Sequence, residues 1–141
     1  IILTNSLYDR HPDHGRAFNL ANDAIFLSGL RRIETEGVDG VGQEAWRPRL
    51  TLQYIQDTYI KPDIIVDITE EMDQKVEAIK AFKTQFYSAD TTEPQTYIST
   101  PAFLEAVVAR AREMGKNIGA TFGEGFTSKK LLGVDDIFNL R

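Results

Sequence analysis

The chain contains no cysteine, and this absence removes several kinds of chemistry at once. Disulfides, thiolate zinc sites and cysteine nucleophiles are all excluded. Any transition metal bound by these 141 residues must therefore be held by imidazole and carboxylate groups. Histidine is almost as scarce, because the chain has two in all. A site that needs imidazole has to include one or both of them.

Positive charge is also in short supply. Sixteen Lys and Arg residues stand against 21 Asp and Glu, which gives a net charge of −5 without any basic cluster. We therefore expect no nucleic acid and no membrane surface as a partner. No apolar run approaches the ~20 residues that a membrane span needs. The remaining composition is that of a globular protein, and the length is enough for one domain with a core.

The chain opens directly on an apolar run, Ile1 to Leu3, without a methionine. A short run of this kind, bounded by Asn and Ser, predicts a buried strand inside a parallel sheet. A buried strand at position 1 has no neighbour supplied by earlier residues. We therefore expect residues 1–141 to be a single domain portion, the C-terminal part of a longer protein. The alternative is an edge strand at a processed terminus. If the chain is the C-terminal part of a longer protein, the lack of a signal peptide in it carries no information.

Apolar periodicity predicts that strands and helices alternate, which favours the α/β class. Thr69 and the Thr100-Pro101 pair are expected to begin the second and third helices, and Gly115 to end the third. The glycine-rich residues 37–48 and the glycine-punctuated tail after Gly115 are expected to be loops, the tail ending in a short apolar segment. The predicted elements are helices over 12–30, 70–86 and 101–114 and strands over 1–3, 49–55 and 62–68, with Phe82, Phe86 and Phe103 in the core.

Both histidines fall within one short segment, "YDRHPDHG". His11 lies at the end of a loop and His14 one turn into the first helix, so both flank one helix N-terminus. Asp13 suits the positive end of the helix dipole, and Arg10 adds a fixed positive charge. Imidazole with carboxylate suits zinc binding, and an oriented imidazole suits proton transfer. The alternative interpretation is that the two histidines are three positions apart by chance and that Asp13 only caps the helix.

The residues around these histidines resemble a known family. "DRHPDHGRAFNLANDAIFLSGL" is similar to the second conserved block of the PIG-L/LmbE-like zinc de-N-acetylases. "YIQDTYIKPDIIVDITEEMDQKVEAIKAFKTQF", "ARAREMGKNIGATFGEGF" and "GVDDIF" resemble the branch that makes bacillithiol by hydrolysing the acetamide of N-acetylglucosaminyl malate. The resemblance covers nearly the whole chain and is weakest over residues 37–44.

This resemblance implies a fold, a cofactor and a setting. The fold would be the C-terminal portion of a Rossmann-like, mostly parallel sheet flanked by helices. The cofactor would be Zn²⁺, and the substrate a small N-acetylglucosaminyl molecule. A homo-oligomer in the cytoplasm is expected, and the lack of cysteine agrees with that location. Iron, cobalt or nickel would also suit histidine and carboxylate ligands.

The resemblance also implies roles for individual residues. His14 matches the zinc ligand of the family. His11 matches the histidine that, as a positively charged donor, stabilises the oxyanion of the tetrahedral intermediate and protonates the leaving amine. Asp13 matches the carboxylate that orients and charges His11. Arg10 matches an arginine that contacts substrate oxygens or a neighbouring carboxylate.

One part of the family pattern is missing from the sequence. Members begin with a strand followed by a His-Pro-Asp-Asp block, which supplies the other zinc ligands and the general base. Nothing here replaces that block, since Asp135 and Asp136 have no histidine near them. A catalytic zinc takes about three protein ligands. We therefore expect half a site in this chain, with the remaining ligands from a missing N-terminal region, and no activity from the fragment alone.

Four further residues are candidates for substrate binding. Glu124 lies between two glycines, and Gln56 and Tyr59 lie between two predicted strands, where contacts to a sugar are plausible. Arg110 suits the malate carboxylates. The alternatives are a turn carboxylate for Glu124 and an ion pair with an acidic neighbour for Arg110.

Two other functions stay open. The first is a related LmbE-like amidase or deacetylase that acts on another N-acetylglucosaminide or on a thiol conjugate. The second, from a different class, is a non-catalytic remnant or assembly module whose histidines only contact a partner.

Overall fold

The computed structural model describes residues 1–86, 94 and 96–140. The chain runs through a strand, a helix, two strands, two α-helices and a last strand, and the α/β class is confirmed. Short 3₁₀ helices lie at Tyr97–Ser99 and Ile137–Asn139. The longer elements are β1 (Ile2–Thr4), α1 (Pro12–Ser28), β2 (Thr51–Tyr54), β3 (Ile64–Asp67), α2 (Met72–Lys80), α3 (Pro101–Lys116) and β4 (Gly123–Thr127).

The four strands form one sheet in the order β1-β2-β4-β3. β1 and β2 are parallel, with Leu3 opposite Leu52. β2 and β4 are antiparallel, with Tyr54 opposite Phe126. The sheet is therefore mixed and not mostly parallel as expected. The difference comes from β4, whose glycines resemble a turn in the sequence and whose strand conformation depends on pairing with distant residues.

β1 lies at an edge of the sheet among the described residues, because only β2 pairs with it. Leu3 is accordingly 53% exposed. That β1 is an interior strand of a longer protein stays a prediction.

The first and third helices begin where the sequence predicts. α1 begins at Pro12, and α3 begins at Pro101 after Thr100, whose hydroxyl accepts a hydrogen bond from the Phe103 N–H at 3.3 Å. The glycine-rich residues 37–48 form a loop, and an isolated bridge joins Gly42 to Glu36, just before it. No described helix is long and apolar enough to cross a membrane.

The second helix is shorter than predicted. α2 covers Met72–Lys80, and its N-cap is Glu71 without a side-chain capping bond. Thr69 does not cap it, because its hydroxyl donates to Asp67 at 2.7 Å and accepts from the Phe122 N–H at 3.3 Å. Phe82 falls beyond the helix and is 60% exposed, so its prediction as a core residue is wrong. The last predicted turn, to residue 86, is not helical.

The chain divides into two compact units, and each has its own buried side chains. Unit 1 comprises residues 1–64 and 126–137, and unit 2 comprises residues 65–125 and 138–141. Within unit 1, Phe18, Leu52 and Phe126 are buried. The core of unit 2 is a cluster made by Ile68, Met72 and Ala111, against which Val76, Val108 and Phe122 pack. That residues 1–141 are a single domain portion of a longer protein stays a prediction.

Two glycines in unit 2 permit a close approach between α3 and the start of β4. A Cβ on Gly115 would lie 2.8 Å from backbone atoms of Phe122. A Cβ on Gly123 would lie 2.8 Å from the Gly115 backbone nitrogen. Gly115 therefore serves packing, and the helix passes through it to Lys116 instead of ending there as predicted.

Candidate active site

The candidate site lies where two parallel strands of unit 1 end. Because β1 and β2 are parallel, their carboxyl ends meet at the same edge of the sheet, where α/β proteins commonly place functional residues. The loop after β1 carries the histidine segment. Side-chain hydrogen bonds join it to the loop after β2. The Asn5 amide donates to Gln56 Oε1 at 2.8 Å, and Arg10 Nε donates to Asp57 Oδ2 at 3.1 Å.

Asp9 ties these loops together, and its side chain is 1% exposed. Its Oδ1 accepts three backbone N–H bonds, from Arg10 at 2.8 Å, Thr58 at 2.9 Å and Asp57 at 3.2 Å. Its Oδ2 lies 2.5 Å from Nδ1 of His14. The buried Asp9 carboxylate therefore fixes both the loop after β2 and the orientation of the His14 imidazole.

The ionisation of Asp9 determines which nitrogen of His14 can bind a metal. Burial raises the pKa of the Asp9 carboxyl, but the bonds from the Thr58 N–H, His14 and the other N–H groups outweigh it and lower that pKa to about 2. Asp9 is therefore a carboxylate near neutral pH, so Nδ1 of neutral His14 donates to it. The lone pair of His14 then lies on Nε2, which is how carboxylates orient metal-binding histidines.

His11 serves first as the cap of α1. Its Nδ1 accepts the Asp13 N–H at 3.2 Å, so a neutral His11 carries its proton on Nε2. Its ring centroid lies 5.4 Å from that of His14. The Asp13 carboxylate accepts from Arg16 at 2.9 Å, and its other oxygen is 3.9 Å from His11 Nδ1. Asp13 is therefore at ion-pair distance from His11 without a hydrogen bond to it.

Gly15 allows the first turn of α1 to lie against the preceding loop. A Cβ at this position would come 2.9 Å from the carbonyl oxygen of Leu7. Glycine therefore places His14, one residue earlier, above the loop that supplies Asp9.

His14 suits zinc as one ligand, since its Nδ1 is held by a carboxylate and its Nε2 is left as the donor. In the described part of the chain, however, no three His, Asp or Glu side chains lie close enough together to hold a metal ion. The described residues therefore fit part of a metal site and not a complete one.

The four substrate-binding candidates fall in different places. Gln56 lies beside the histidine segment through its bond to Asn5, and Tyr59 follows the same loop with a largely exposed ring. Glu124 and Arg110 belong to unit 2, where Glu124 pairs with Lys75 Nζ. A role in substrate binding stays a prediction for all four residues.

Two residues that organise this site, Asp9 and Asp57, are not predicted from the sequence. Asp9 is part of the histidine segment, and its position after β1 was the available signal. The family resemblance points to Asp13, as the carboxylate that orients and charges His11, and does not point to Asp9. Asp57 could be found only through its tertiary contact with Arg10, 47 positions earlier.

Comparison with known proteins supports an LmbE-like fold. No family model matches the chain. A conserved protein of Thermus thermophilus matches with a TM-score of 0.75 and 30% identity, over 94% of this chain and 52% of its own. The hydratase GalB from Pseudomonas putida, which acts on 4-carboxy-2-hydroxymuconate, matches with a TM-score of 0.67 and 20% identity, over 97% and 55%.

A third solved structure is a deacetylase. The N,N'-diacetylchitobiose deacetylase from Pyrococcus horikoshii matches with a TM-score of 0.63 and 26% identity, over 88% of this chain and 43% of its own. The chain thus spans about half the length of the solved structures that it matches. Its fold, a four-stranded sheet flanked by helices, resembles the LmbE-like fold. That fold is shared by a hydratase and a deacetylase, so the reaction has to be argued from the site.

Proposed function

We propose that this chain is the C-terminal part of a zinc-dependent de-N-acetylase. The observation that carries the proposal is the pair of Asp9 and His14, in which a buried carboxylate directs an imidazole Nε2 away from itself. The likeness to a diacetylchitobiose deacetylase agrees with amide hydrolysis. The proposed substrate is N-acetylglucosaminyl malate, which rests on the resemblance of the sequence to the bacillithiol branch.

Each residue of the segment has a part in the proposed reaction. His14 would hold the zinc ion through Nε2. Bound zinc would polarise the amide carbonyl and lower the pKa of a bound water. His11 carries a proton on Nε2 and would direct it to the oxyanion that forms in the transition state. Arg10, held by Asp57, would contact substrate oxygens.

The remaining zinc ligands and the general base are proposed to come from residues outside these 141. The lengths of the matched structures agree with this, because each is about twice the part that aligns. A longer protein would also complete the proposed Rossmann-like sheet beside β1. The fragment alone is expected to be inactive.

The non-catalytic alternative has one observation in its favour. Among the described residues there is no group of three potential metal ligands. A module that only contacts a partner would need none. The related amidase on another N-acetylglucosaminide or thiol conjugate uses the same residues and differs in substrate alone.

The test is acetate release by the longest native form of the protein, loaded with zinc. We expect hydrolysis of N-acetylglucosaminyl malate in preference to N,N'-diacetylchitobiose and thiol-conjugate amides, with loss of activity on chelation. His14→Ala should lose at least about a hundredfold in rate. Asn19→Ala, exposed on the same helix, is the matched control. Intact mass of the denatured sample identifies every polypeptide present. A zinc-loaded full-length protein that releases no acetate from any of these amides would favour the non-catalytic module.

The proposed setting is a cytoplasmic homo-oligomer. Light scattering on the full-length protein tests the oligomeric state. Fractionation of cells that express it tests the location.

A further inference from the structure

Unit 2 contains an apolar cleft made only of its own residues. The cleft has a volume of about 740 Å³ and lies between α2, the 3₁₀ helix at Tyr97–Ser99 and α3. Sites for small molecules commonly have volumes of ~300–1,000 Å³ and mostly apolar walls. None of the histidine segment lines this cleft.

The lining of the cleft combines aliphatic and aromatic side chains. Val76 and Ile79 come from α2, and Val108 comes from α3. Phe86 stacks on Phe103 with ring centroids 5.6 Å apart, and the Tyr97 ring meets the edge of Phe103 at the same distance. Rings held in this way form a fixed wall that suits a hydrocarbon chain.

The charges around the cleft are mainly positive, although the chain as a whole carries −5. The lining includes Lys80, Lys83 and Arg112 against the single carboxylate of Glu105. Lys80 already pairs with Glu77 at 3.0 Å, and the Arg112 guanidinium lies 5.1 Å from the centre of the Phe122 ring.

Lys83 differs from these two cations. In the part of the chain that the structure describes, its ammonium group makes no ion pair. A cation of this kind beside an apolar wall is suited to a ligand that is anionic at one end and apolar at the other.

We propose that this cleft binds an amphipathic carboxylate, a hydrocarbon chain of about eight to twelve carbons with one terminal anion. The chain lies against the Phe86–Phe103 wall, and the carboxylate is held by Lys83 with support from Arg112. The positive lining selects the carboxylate over a neutral or cationic head group. The cleft is concave and partly open to solvent, and its volume suits a slender chain.

Calorimetric titration with octanoate, below its micellar concentration, tests the proposal. We expect saturable one-to-one binding, with octanol at least about threefold weaker and octylammonium weaker still, because one exposed ion pair contributes up to a few-fold in affinity. Backbone amide shifts on adding octanoate should concentrate in α2 and α3. Absence of saturable binding, or equal affinity for octanoate and octylammonium, would overturn the proposal.

Pairs of variants, one inside the cleft and one outside it, distinguish binding in the cleft from effects of net charge or side-chain size. Lys83→Glu should weaken octanoate binding about fivefold. Lys116→Glu changes the net charge equally at an exposed position of α3 outside the cleft, and should stay within about twofold. Ala109→Trp fills the cleft and should weaken binding more than about tenfold. Ala106→Trp, exposed on the same helix but outside the lining, is its control.

Light scattering on the same variants distinguishes a different occupant. If the unmodified chain self-associates, octanoate does not bind, and Ala109→Trp alone gives a monomer, then the cleft is filled by a second copy and the carboxylate proposal is wrong. Circular dichroism confirms that each variant is folded before any result is used.

Discussion

Asp9 is the residue whose replacement should cost the most at the candidate site. Asp9→Ala leaves three backbone N–H groups and the His14 Nδ1–H without their acceptor. A lost bond to a charged acceptor costs ~1.5–3 kcal/mol when buried, and water will replace some of these bonds at a loop edge. We therefore expect the free energy of unfolding to fall by about 2–4 kcal/mol in urea titrations followed by circular dichroism.

Asp13→Ala is the matched control for this substitution. The Asp13 carboxylate is 66% exposed, and it pairs with an Arg16 side chain that is 79% exposed. Its removal should cost less than about 1 kcal/mol. If Asp9→Ala were no more destabilising than Asp13→Ala, the assignment of Asp9 as the anchor of both loops would be refuted.

Asp9→Asn separates charge from shape at the same position. The amide oxygen can still accept the backbone N–H groups, but an amide NH₂ facing His14 requires an acceptor at Nδ1. The His14 proton should then move to Nε2, the nitrogen that would bind zinc. Nitrogen-15 shifts of the His14 ring report this tautomer directly in the chain itself. A ring that keeps its proton on Nδ1 in Asp9→Asn would contradict the argument.

Acid should remove the contribution of Asp9 in a defined range. The pKa of its carboxyl is lowered from 3.8 to about 2, so its stabilisation is complete above pH ~5 and is lost as the pH falls through 4 towards 2. The difference between those pKa values corresponds to a contribution of about 2 kcal/mol to the free energy of unfolding. In urea titrations, the stability gap between the native chain and Asp9→Asn should therefore narrow between pH 5 and pH 2. A gap that stays constant over this range would argue against a carboxylate stabilised in the folded state.

Three further substitutions test the fold around the site and in unit 2. Gly115→Ala should destabilise by about 1–3 kcal/mol, because its Cβ would meet the Phe122 backbone, whereas Gly133→Ala meets nothing within 4 Å and should be near neutral in thermal melts. Thr100→Ala removes the cap of α3 and should cost about 1 kcal/mol in urea, with no effect on the His14 ring shifts. Arg10→Ala breaks a partly exposed pair with Asp57 and should cost about 1 kcal/mol in urea, and a loss as large as that of Asp9→Ala would contradict the ranking of the two residues.

The starts of the first and third helices could be predicted from the sequence, because the residues that set them lie within a few positions. Pro12 and the Thr100-Pro101 pair begin helices in the structure as they do in the sequence pattern, because caps and first-turn prolines act within a few residues. The strands at 51–54 and 64–67 also fall inside their predicted ranges. These elements also place His11 and His14 at one helix N-terminus, so the central part of the candidate site followed from the sequence.

Tertiary contacts decided the elements that the sequence did not predict. Threonine is a common N-cap residue, but the Thr69 hydroxyl bonds to Asp67 and to the Phe122 N–H and therefore does not cap α2. β4 has a glycine-rich sequence that is typical of a turn, and it is a strand because it pairs with β2. The anchoring role of Asp9 depends on N–H groups 48 and 49 positions later, which no local pattern encodes.

The cap formed by His11 affects how its proposed role in proton transfer can be tested. An alanine at this position would remove an imidazole and the acceptor that begins α1 together, so a loss of activity could come from a frayed helix that carries His14. His11→Asn separates the two, because asparagine is among the best N-caps and has no titratable ring. A variant with an intact helix and no turnover would assign proton transfer to the imidazole itself, and the choice of substitution at this one position decides whether a kinetic experiment reports catalysis or folding.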